Sequence, residues 1–174
     1  MNVIEAITGR HSCRKFCINQ KIAKESISSI LESGMQAPSG KNLQPWKFTV
    51  VDNSKLISEI GALCTYSKFI CNASCLIFVY LDTAVSYDYK KDAMAIGACI
   101  QNILLAAHEQ NLGNCWIGEI LNQEKEIGQK LGIPSERELM AVLAIGTENT
   151  VVTSRMKKAE RSKLEKKVDF WYSD

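Results

Sequence analysis

The most constraining feature of the sequence is an unbroken run of seven apolar residues, CLIFVYL, at positions 75–81. The run is far shorter than the roughly 20 residues that a membrane-spanning helix needs. A short apolar run without alternation is typical of a strand that is buried on both faces of a sheet. We therefore predict a central strand in this position.

Helices and further strands are predicted on either side of this run. Asn2 and Glu5 have the spacing of a capping box before a short first helix, and a second apolar pattern ends at Gly34. Strands are predicted at 46–51, 116–120 and 139–145, with helices beginning at caps Ser54 and Asn122. The strongest helical pattern covers 92–110, with Gly113 as its stop. Small residues in that helix would let another helix approach closely: Ala95, Gly97, Ala98 and Cys99.

Length and composition limit the class of protein. The 174 residues correspond to one domain, and 46% hydrophobic residues provide enough material for a core. Twenty-one Lys and Arg against 19 Asp and Glu give a net charge of +2, which does not favour a nucleic-acid or membrane-surface partner. No apolar signal-peptide core follows the N-terminus, so we expect a cytoplasmic protein.

The seven cysteines do not suggest a metal site or a disulfide framework. They form no C-x-x-C pair, and no second pair or histidine cluster lies at zinc-ligand spacing. Most of them lie in apolar stretches, where a thiol packs as a small hydrophobic group. We expect reduced packing residues and no metal.

The first candidate functional segment follows the first predicted helix. It contains Arg10, Ser12 and Arg14, two arginines with a hydroxyl between them, which can bind a dianionic phosphate through several donors. A solvated basic turn is the alternative for this segment taken alone.

The second candidate segment covers residues 37–46, APSGKNLQPW. Pro38 and Pro45 stiffen a loop that also carries Ser39, Asn42 and Gln44. Such a loop can hold polar groups around a flat heterocycle, or it can simply connect to the strand that follows.

Together, the two segments resemble the FMN-dependent nitroreductase family. That family has an R-x-S-x-R-x-F pattern, matched by the arginine segment through Phe16, and A-P-S-x-x-N-x-Q-P-W, matched through Trp46. Similar residues follow in the expected order around 101–107, 112–118 and 132–134, so the resemblance covers nearly the whole chain.

The resemblance implies an α+β fold with a mainly antiparallel central sheet flanked by helices, in an intertwined homodimer. Residues 1–174 would form a single FMN-binding domain, of which about 150–174 would be a C-terminal arm that wraps the partner subunit. FMN would lie at the subunit interface.

The resemblance also implies the site residues. Arg10, Ser12 and Arg14 would hold the phosphate and ribityl chain, with His11 adjoining them and Arg161 added from the C-terminal segment. Ile117 and Gly118 would place a backbone N–H near flavin N5, beside Glu119. The partner subunit would contribute the ring-side loop, namely Pro38, Ser39, Gly40 and Asn42.

Two departures from the family pattern affect these expectations. Thr147, Glu148 and Asn149 stand where the family has a Tyr-Pro or similar pair, so Arg155 or Lys157 could take the place of Arg161. The chain is also short at 65–71 and 81–92, where the family carries a lid over the substrate pocket.

The implied activity is hydride transfer from NAD(P)H through flavin N5 to nitroaromatic, quinone or similar electron-poor acceptors, by a ping-pong mechanism. No side chain is needed as a general acid or base, and no G-x-G-x-x-G fingerprint is present for a separate nucleotide domain. The alternatives are a specialised branch (flavin fragmentation or reductive dehalogenation) and a non-catalytic FMN storage or electron-relay module.

Three further features of the sequence need an interpretation. Lys41 could supply positive charge near flavin N1 or point into water, and His108 is expected to be structural. The basic run at 155–167 reads as a solvated helix or an arm on the partner, with the aromatic residues Phe170, Trp171 and Tyr172 after it, rather than as a nucleic-acid patch.

Overall fold

The computed structural model describes residues 1–153 and 160–170. The helices are α1 (Val3–Gly9), α2 (Lys24–Met35), α3 (Ser54–Gly61), α4 (Ser67–Ile70), α5 (Tyr89–Glu109), α6 (Glu124–Leu131) and α7 (Thr150–Thr153). The strands are β1 (Trp46–Val51), β2 (Cys75–Asp82), β3 (Leu112–Ile117) and β4 (Arg137–Thr147). Arg155, Lys157, Trp171 and Tyr172, and part of the expected C-terminal arm, lie outside the described residues.

The four strands form one antiparallel sheet in the order β1-β2-β4-β3. Every residue of β2 is buried, as the apolar run at 75–81 predicts. Strand β4 lies beside it, with Cys75 opposite Ile145. The edges of the sheet are β1 and β3, and β3 ends where Ile117 pairs with Val142.

Helices cover both faces of this sheet. On one face, α2 and α5 pack over Ile77 and Leu143 in a core that includes Ile30 and Ile103. On the other face, α3, α4 and α6 surround a second core that includes Phe78. The predicted α+β class, with an antiparallel sheet flanked by helices, is therefore confirmed.

Several predicted helix boundaries are wrong. In two places a glycine that was predicted to end a helix instead allows close packing. Gly34 does not stop α2 but lies inside it, where a Cβ would be 2.5 Å from Ile103 Cγ1. Helix α5 starts at Tyr89 and ends at Glu109, and the predicted stop Gly113 lies in β3, which starts at Leu112.

Two of the three predicted caps differ from the observed ones by one residue. The cap of α1 is the expected box between Asn2 and Glu5. The cap of α3 is Asn53 rather than Ser54, and its side chain accepts from Leu56 N at 3.0 Å. Helix α6 begins at Glu124, after a 3-10 turn that contains Asn122.

None of the helices in the described ranges is long and apolar enough to cross a membrane.

Candidate functional site

The arginine segment leaves α1 at Arg10 and runs along the open side of the sheet. Its backbone is tied to the two neighbouring strands, since Cys13 N donates to Asn114 O at 2.8 Å and Cys17 N donates to Thr147 O at 2.8 Å. Phe16 forms a bridge with Glu148. The segment is therefore held against β3 and the end of β4.

The three phosphate-binding candidates all lie near the thiol of Cys115 in β3. Burial raises the pKa of the Cys115 thiol, and Arg14, a hydrogen bond from the Ser12 side chain and Arg10 each act to lower that pKa. Two cationic side chains and a hydroxyl therefore lie around the same part of β3. Such a grouping suits the binding of an anion.

The donors of this cluster have capacity left for an anion. Ser12 and Arg14 are exposed and Arg10 is half-buried. Arg10 Nε is buried and has no hydrogen-bond partner within the described residues. Because buried polar groups are normally paired, an acceptor from a ligand would complete this site.

His11 points to the other side of the segment. Its Nε2 lies 2.8 Å from Glu148 Oε1, and its ring meets that of His108 edge-on with centroids 6.5 Å apart. His108 also packs against Gly9, where a Cβ would be 2.9 Å from its Nε2. The structural role expected for His108 fits this packing, and the predicted contact of His11 with the cofactor stays a prediction.

The second motif forms a loop with unusual backbone geometry. Lys41, Asn42 and Gln44 have φ values of 54°, 57° and 50°, in the left-handed region that non-glycine residues rarely occupy. The loop is held by Gln44 N, which donates to Ser39 Oγ at 2.9 Å. Strained backbone of this kind concentrates at ligand sites and switch regions.

This loop borders a shallow cavity of about 260 Å³ against α5. The cavity is lined by Pro38, Ser39, Gly40, Lys91, Met94, Ala95 and Ala98. Tyr87 packs on the loop at Gly40. Its hydroxyl is so close that a Cβ at this position would overlap it. Lys41 forms no ion pair with a carboxylate of the described residues. Its Nζ lies over the Tyr87 ring, 4.8 Å from the centroid, rather than simply in water.

Within a single chain, the two motifs are far from each other. The loop borders α5 at Ala95, and the arginine segment meets this helix where the rings of His11 and His108 lie edge-on. These positions are about 20 Å apart along the helix axis. Moreover, Asn114 points towards α5, where its Nδ2 donates to Leu104 O at 3.2 Å, so the next side chain, Cys115, points to the opposite face of the sheet.

The predicted ring-contact residues lie at the end of β3, next to the arginine segment. Ile117 is buried, and Gly118 is exposed with no atom within 4 Å of the position a Cβ would take. Glu119 Oε1 accepts from Thr65 Oγ1 at 3.0 Å, while its Oε2 is buried without a partner in the described part of the chain. Arg161 is exposed, and its predicted part in phosphate binding stays a prediction.

Sequence reasoning missed several residues of these two groups. Cys115 reads as one more apolar cysteine, and nothing local predicts that Ser12 bonds to it. Tyr87, Lys91 and Met94 lie in or beside the cavity only because α5 crosses the loop. The one available signal was the short segment after residue 81, where a lid was expected to be small.

Two other possibilities receive no support from the described residues. In the ranges 1–153 and 160–170, no group of three or more His, Cys, Asp or Glu side chains is arranged to hold a metal ion. A second cavity of about 460 Å³ lies between residues 18–22 and the start of α3, and its lining contains none of the predicted site residues.

The fold defines a class of α+β proteins in which helices cover both faces of an antiparallel sheet. The chain belongs to the nitroreductase family, whose model matches residues 7–67 and 61–147.

Related proteins agree with this membership. A protein of Archaeoglobus fulgidus, provisionally named an NADH dehydrogenase/NAD(P)H nitroreductase, is 33% identical over 146 residues, 82% of this chain and 83% of its own. A protein of Methanothermobacter thermautotrophicus with the same provisional name is 30% identical over 148 residues, 84% of this chain and 77% of its own.

A solved structure resembles the whole chain. The crystal structure of a provisionally named nitroreductase from Desulfovibrio desulfuricans, in complex with FMN, has a TM-score of 0.87 and 32% identity, and the match covers 100% of this chain and 99% of that one. A related structure from Bacteroides thetaiotaomicron has a TM-score of 0.80 and 28% identity over 96% of this chain and 95% of that one.

Proposed function

We propose that this chain is an FMN-dependent NAD(P)H oxidoreductase that reduces nitroaromatic, quinone or similar electron-poor acceptors, and that it acts as a homodimer. The observation that carries the proposal is the arginine segment, which is held on β3 with Arg10 Nε buried and unpaired among the described residues. The FMN in the Desulfovibrio relative, which is similar over its full length, supports the choice of cofactor.

The described residues suit FMN. Guanidinium groups bind phosphate through paired, charge-assisted hydrogen bonds, and the unpaired Arg10 Nε needs an acceptor. Open space at Gly118 leaves room for a flat ring system to approach the backbone. The phosphate donors and the open backbone adjoin the same edge strand.

The chemistry that FMN supplies when bound is hydride transfer in two half-reactions, from NAD(P)H to flavin N5 and then from N5 to the acceptor. The protein's own part is binding and orientation. Arg10, Ser12 and Arg14 would hold the phosphate, and the backbone at Ile117 and Gly118 would donate to the ring edge. Charge and donors arranged in advance favour the reduced, anionic cofactor, so no general acid or base is required.

The homodimer is supported by features that a single chain leaves incomplete. The two motifs lie about 20 Å apart on α5, so Pro38, Ser39, Gly40 and Asn42 would complete a site on the other copy. Apolar side chains on α1 are exposed: Val3, Ile4 and Ile7. Gly97 on α5 has open space beside it, which suits the close approach of a partner helix.

Anaerobic stopped-flow absorbance near 450 nm tests the proposal. The purified protein, loaded with FMN, is mixed with NADH or NADPH, and a nitroaromatic is added after the flavin signal bleaches. We expect rapid bleaching that the acceptor reverses. A yellow protein that does not bleach would indicate a storage or electron-relay module, and a protein that takes up no FMN would contradict the site assignment.

A further inference from the structure

The segment between β2 and α5 is locked onto the ring-side loop. Asp92 is completely buried, and its Oδ2 accepts from Ser86 Oγ at 2.8 Å, Tyr87 N at 3.0 Å and Asp88 N at 3.2 Å. These bonds fix the backbone on both sides of Tyr87. The Tyr87 hydroxyl then rests against Gly40, the only residue type without a Cβ to obstruct it.

Tyr87 has two lysines beside its ring, and one of them, Lys91, also lines the cavity. Lys41 Nζ lies 4.8 Å from the ring centroid and Lys91 Nζ lies 5.3 Å from it, both within the range of cation–π attraction. Since both ammonium groups are close to one ring, they are separated by no more than about twice the longer distance. Two positive charges are thus gathered beside Gly40.

The charges that face this pair leave it positive. Asp88 Oδ2 lies 3.2 Å from Lys91 Nζ and partly neutralises it. Among the described residues, no carboxylate lies within 4 Å of Lys41 Nζ. Asp92 is turned inward on its three donors, and the cavity lining, all of it in the described ranges, contains no acidic side chain.

We propose that Lys41 and Lys91, positioned by Tyr87, select a redox substrate that carries an anionic group, carboxylate or phosphate, next to its ring. The ring would lie against the apolar wall formed by Pro38, Met94 and Ala98, and the anion would lie between the two ammonium groups. This inference rests on the proposed function, in which the loop borders the reacting face.

The anion could belong to the acceptor or to the nucleotide, and matched substrate pairs distinguish these sources. One arm compares 4-nitrobenzoate with the uncharged 4-nitrobenzamide as acceptor. The other compares NADPH with NADH, which differ by one phosphate. The variants are K41Q, K91Q and the double variant, with K125Q on the opposite side of the sheet as the control for loss of one exposed lysine charge.

If the anion is on the acceptor, each lysine variant raises the KM for 4-nitrobenzoate about three- to tenfold and leaves that for the amide within twofold. If it is on the nucleotide, the KM for NADPH rises in the same way and that for NADH does not. K125Q changes none of these values. Equal effects on charged and uncharged substrates, or no effect on either pair, would overturn the proposal.

A binding measurement keeps this test independent of turnover. Calorimetric titration of the oxidised protein with 4-nitrobenzoate or NADP⁺ gives Kd directly, and the K41Q loss should shrink at 0.5 M NaCl because added salt screens exposed charges. Absent NAD(P)H oxidation with a retained lysine-dependent Kd would contradict the proposed function alone. Retained oxidation with an unchanged Kd in all lysine variants would contradict the anion selection alone.

Discussion

Arg14 is exposed, whereas the sulfur near it, in Cys115, is almost fully buried. A cation at such a boundary is stabilised little by the thiol, since burial raises the thiol pKa and keeps the sulfur neutral. The charge of Arg14 therefore remains available to a ligand. At this scale the motif identified the donors, but the thiol near which they lie emerged only from the packing of the segment on β3.

Replacing Arg14 by alanine should weaken FMN binding by about 1.5–3 kcal/mol, because it removes a charge-assisted contact to phosphate. Titration calorimetry of the apoprotein with FMN measures this change. Lys15→Ala is the matched control, since it removes a neighbouring positive charge that is not part of the motif. Unchanged affinity in the Arg14 variant, or an equal loss in both, would count against the phosphate site.

At the scale of elements, a continuous run of hydrophobic residues was sufficient to predict a strand that is buried on both faces, namely β2. The bounds of β1 agree with the prediction, and β2 extends it by one residue, Asp82, whose carboxylate pairs with Arg137 and Lys47. Errors occurred at glycines. Gly34 and Gly113 read as stops, yet each allows close packing, against Ile103 and against Cys13 respectively.

Gly34→Ala should destabilise the protein by about 1–3 kcal/mol, because the new methyl group would overlap Ile103 and approach Cys99 Sγ to 3.2 Å. This outcome runs opposite to intrinsic helix propensity, which favours alanine by about 1 kcal/mol. Urea denaturation measures the free energy of unfolding of this variant and of a control, Gly128→Ala. Gly128 lies in α6 with no atom within 4 Å of a Cβ at this position, so the control shows the gain from helix propensity alone. A more stable Gly34 variant would show that α2 and α5 are not so closely packed.

Asp92→Asn should remove acid-sensitive stability from the start of α5. Burial acts to raise the pKa of Asp92, but hydrogen bonds from Ser86, Asp88 and Tyr87 outweigh it and hold the pKa below the ordinary value of 3.8. A lowered pKa in the folded state stabilises the protein above the unfolded pKa, and this contribution is lost as the pH falls through the folded pKa.

The variant should therefore be less stable than the parent chain at pH 7, by about 1–3 kcal/mol, and the difference should narrow below about pH 4. Thermal unfolding from pH 7 to pH 3 measures both. A difference that stays constant over this range would show that the carboxylate charge contributes nothing.

At the scale of the whole molecule, the main finding is the separation of the two motifs. They lie on opposite faces of the sheet and about 20 Å apart along α5. The apolar spacing of α5 predicts its buried face, since Ile96, Ile100 and Ile103 lie in the core, but it does not predict how the small residues are used. The small residues divide between two roles, since Ala95 and Cys99 are buried under α2 whereas Gly97 and Ala98 are partly exposed.

Gly97→Leu should leave the fold of one chain intact and raise the dissociation constant of the proposed homodimer by at least tenfold, because the new side chain has space in one chain but would obstruct a partner. Sedimentation equilibrium measures the dissociation constant, and circular dichroism checks the fold. Gly128→Leu serves as the control at an open helical glycine away from α5. A dimer of unchanged strength would place the interface elsewhere.

By itself, the sequence predicted most helices and strands in their order, and it predicted the family. It misplaced β3, which covers Leu112–Ile117 rather than the predicted 116–120. Capping boxes, apolar periods and the R-x-S-x-R-x-F segment are local, and their physical causes act within a few residues along the chain. The α+β class followed, because a strand with no polar face must be covered on both sides.

Only the tertiary structure decided what those residues face. The position of Arg10, Ser12 and Arg14 near the Cys115 thiol, and the clustering of Lys41 and Lys91 on Tyr87, depend on contacts between segments that are distant in the sequence. Such contacts result from the register of β3 on β4 and the crossing of α2 over α5, which are set by the packing of the whole core rather than by any one segment.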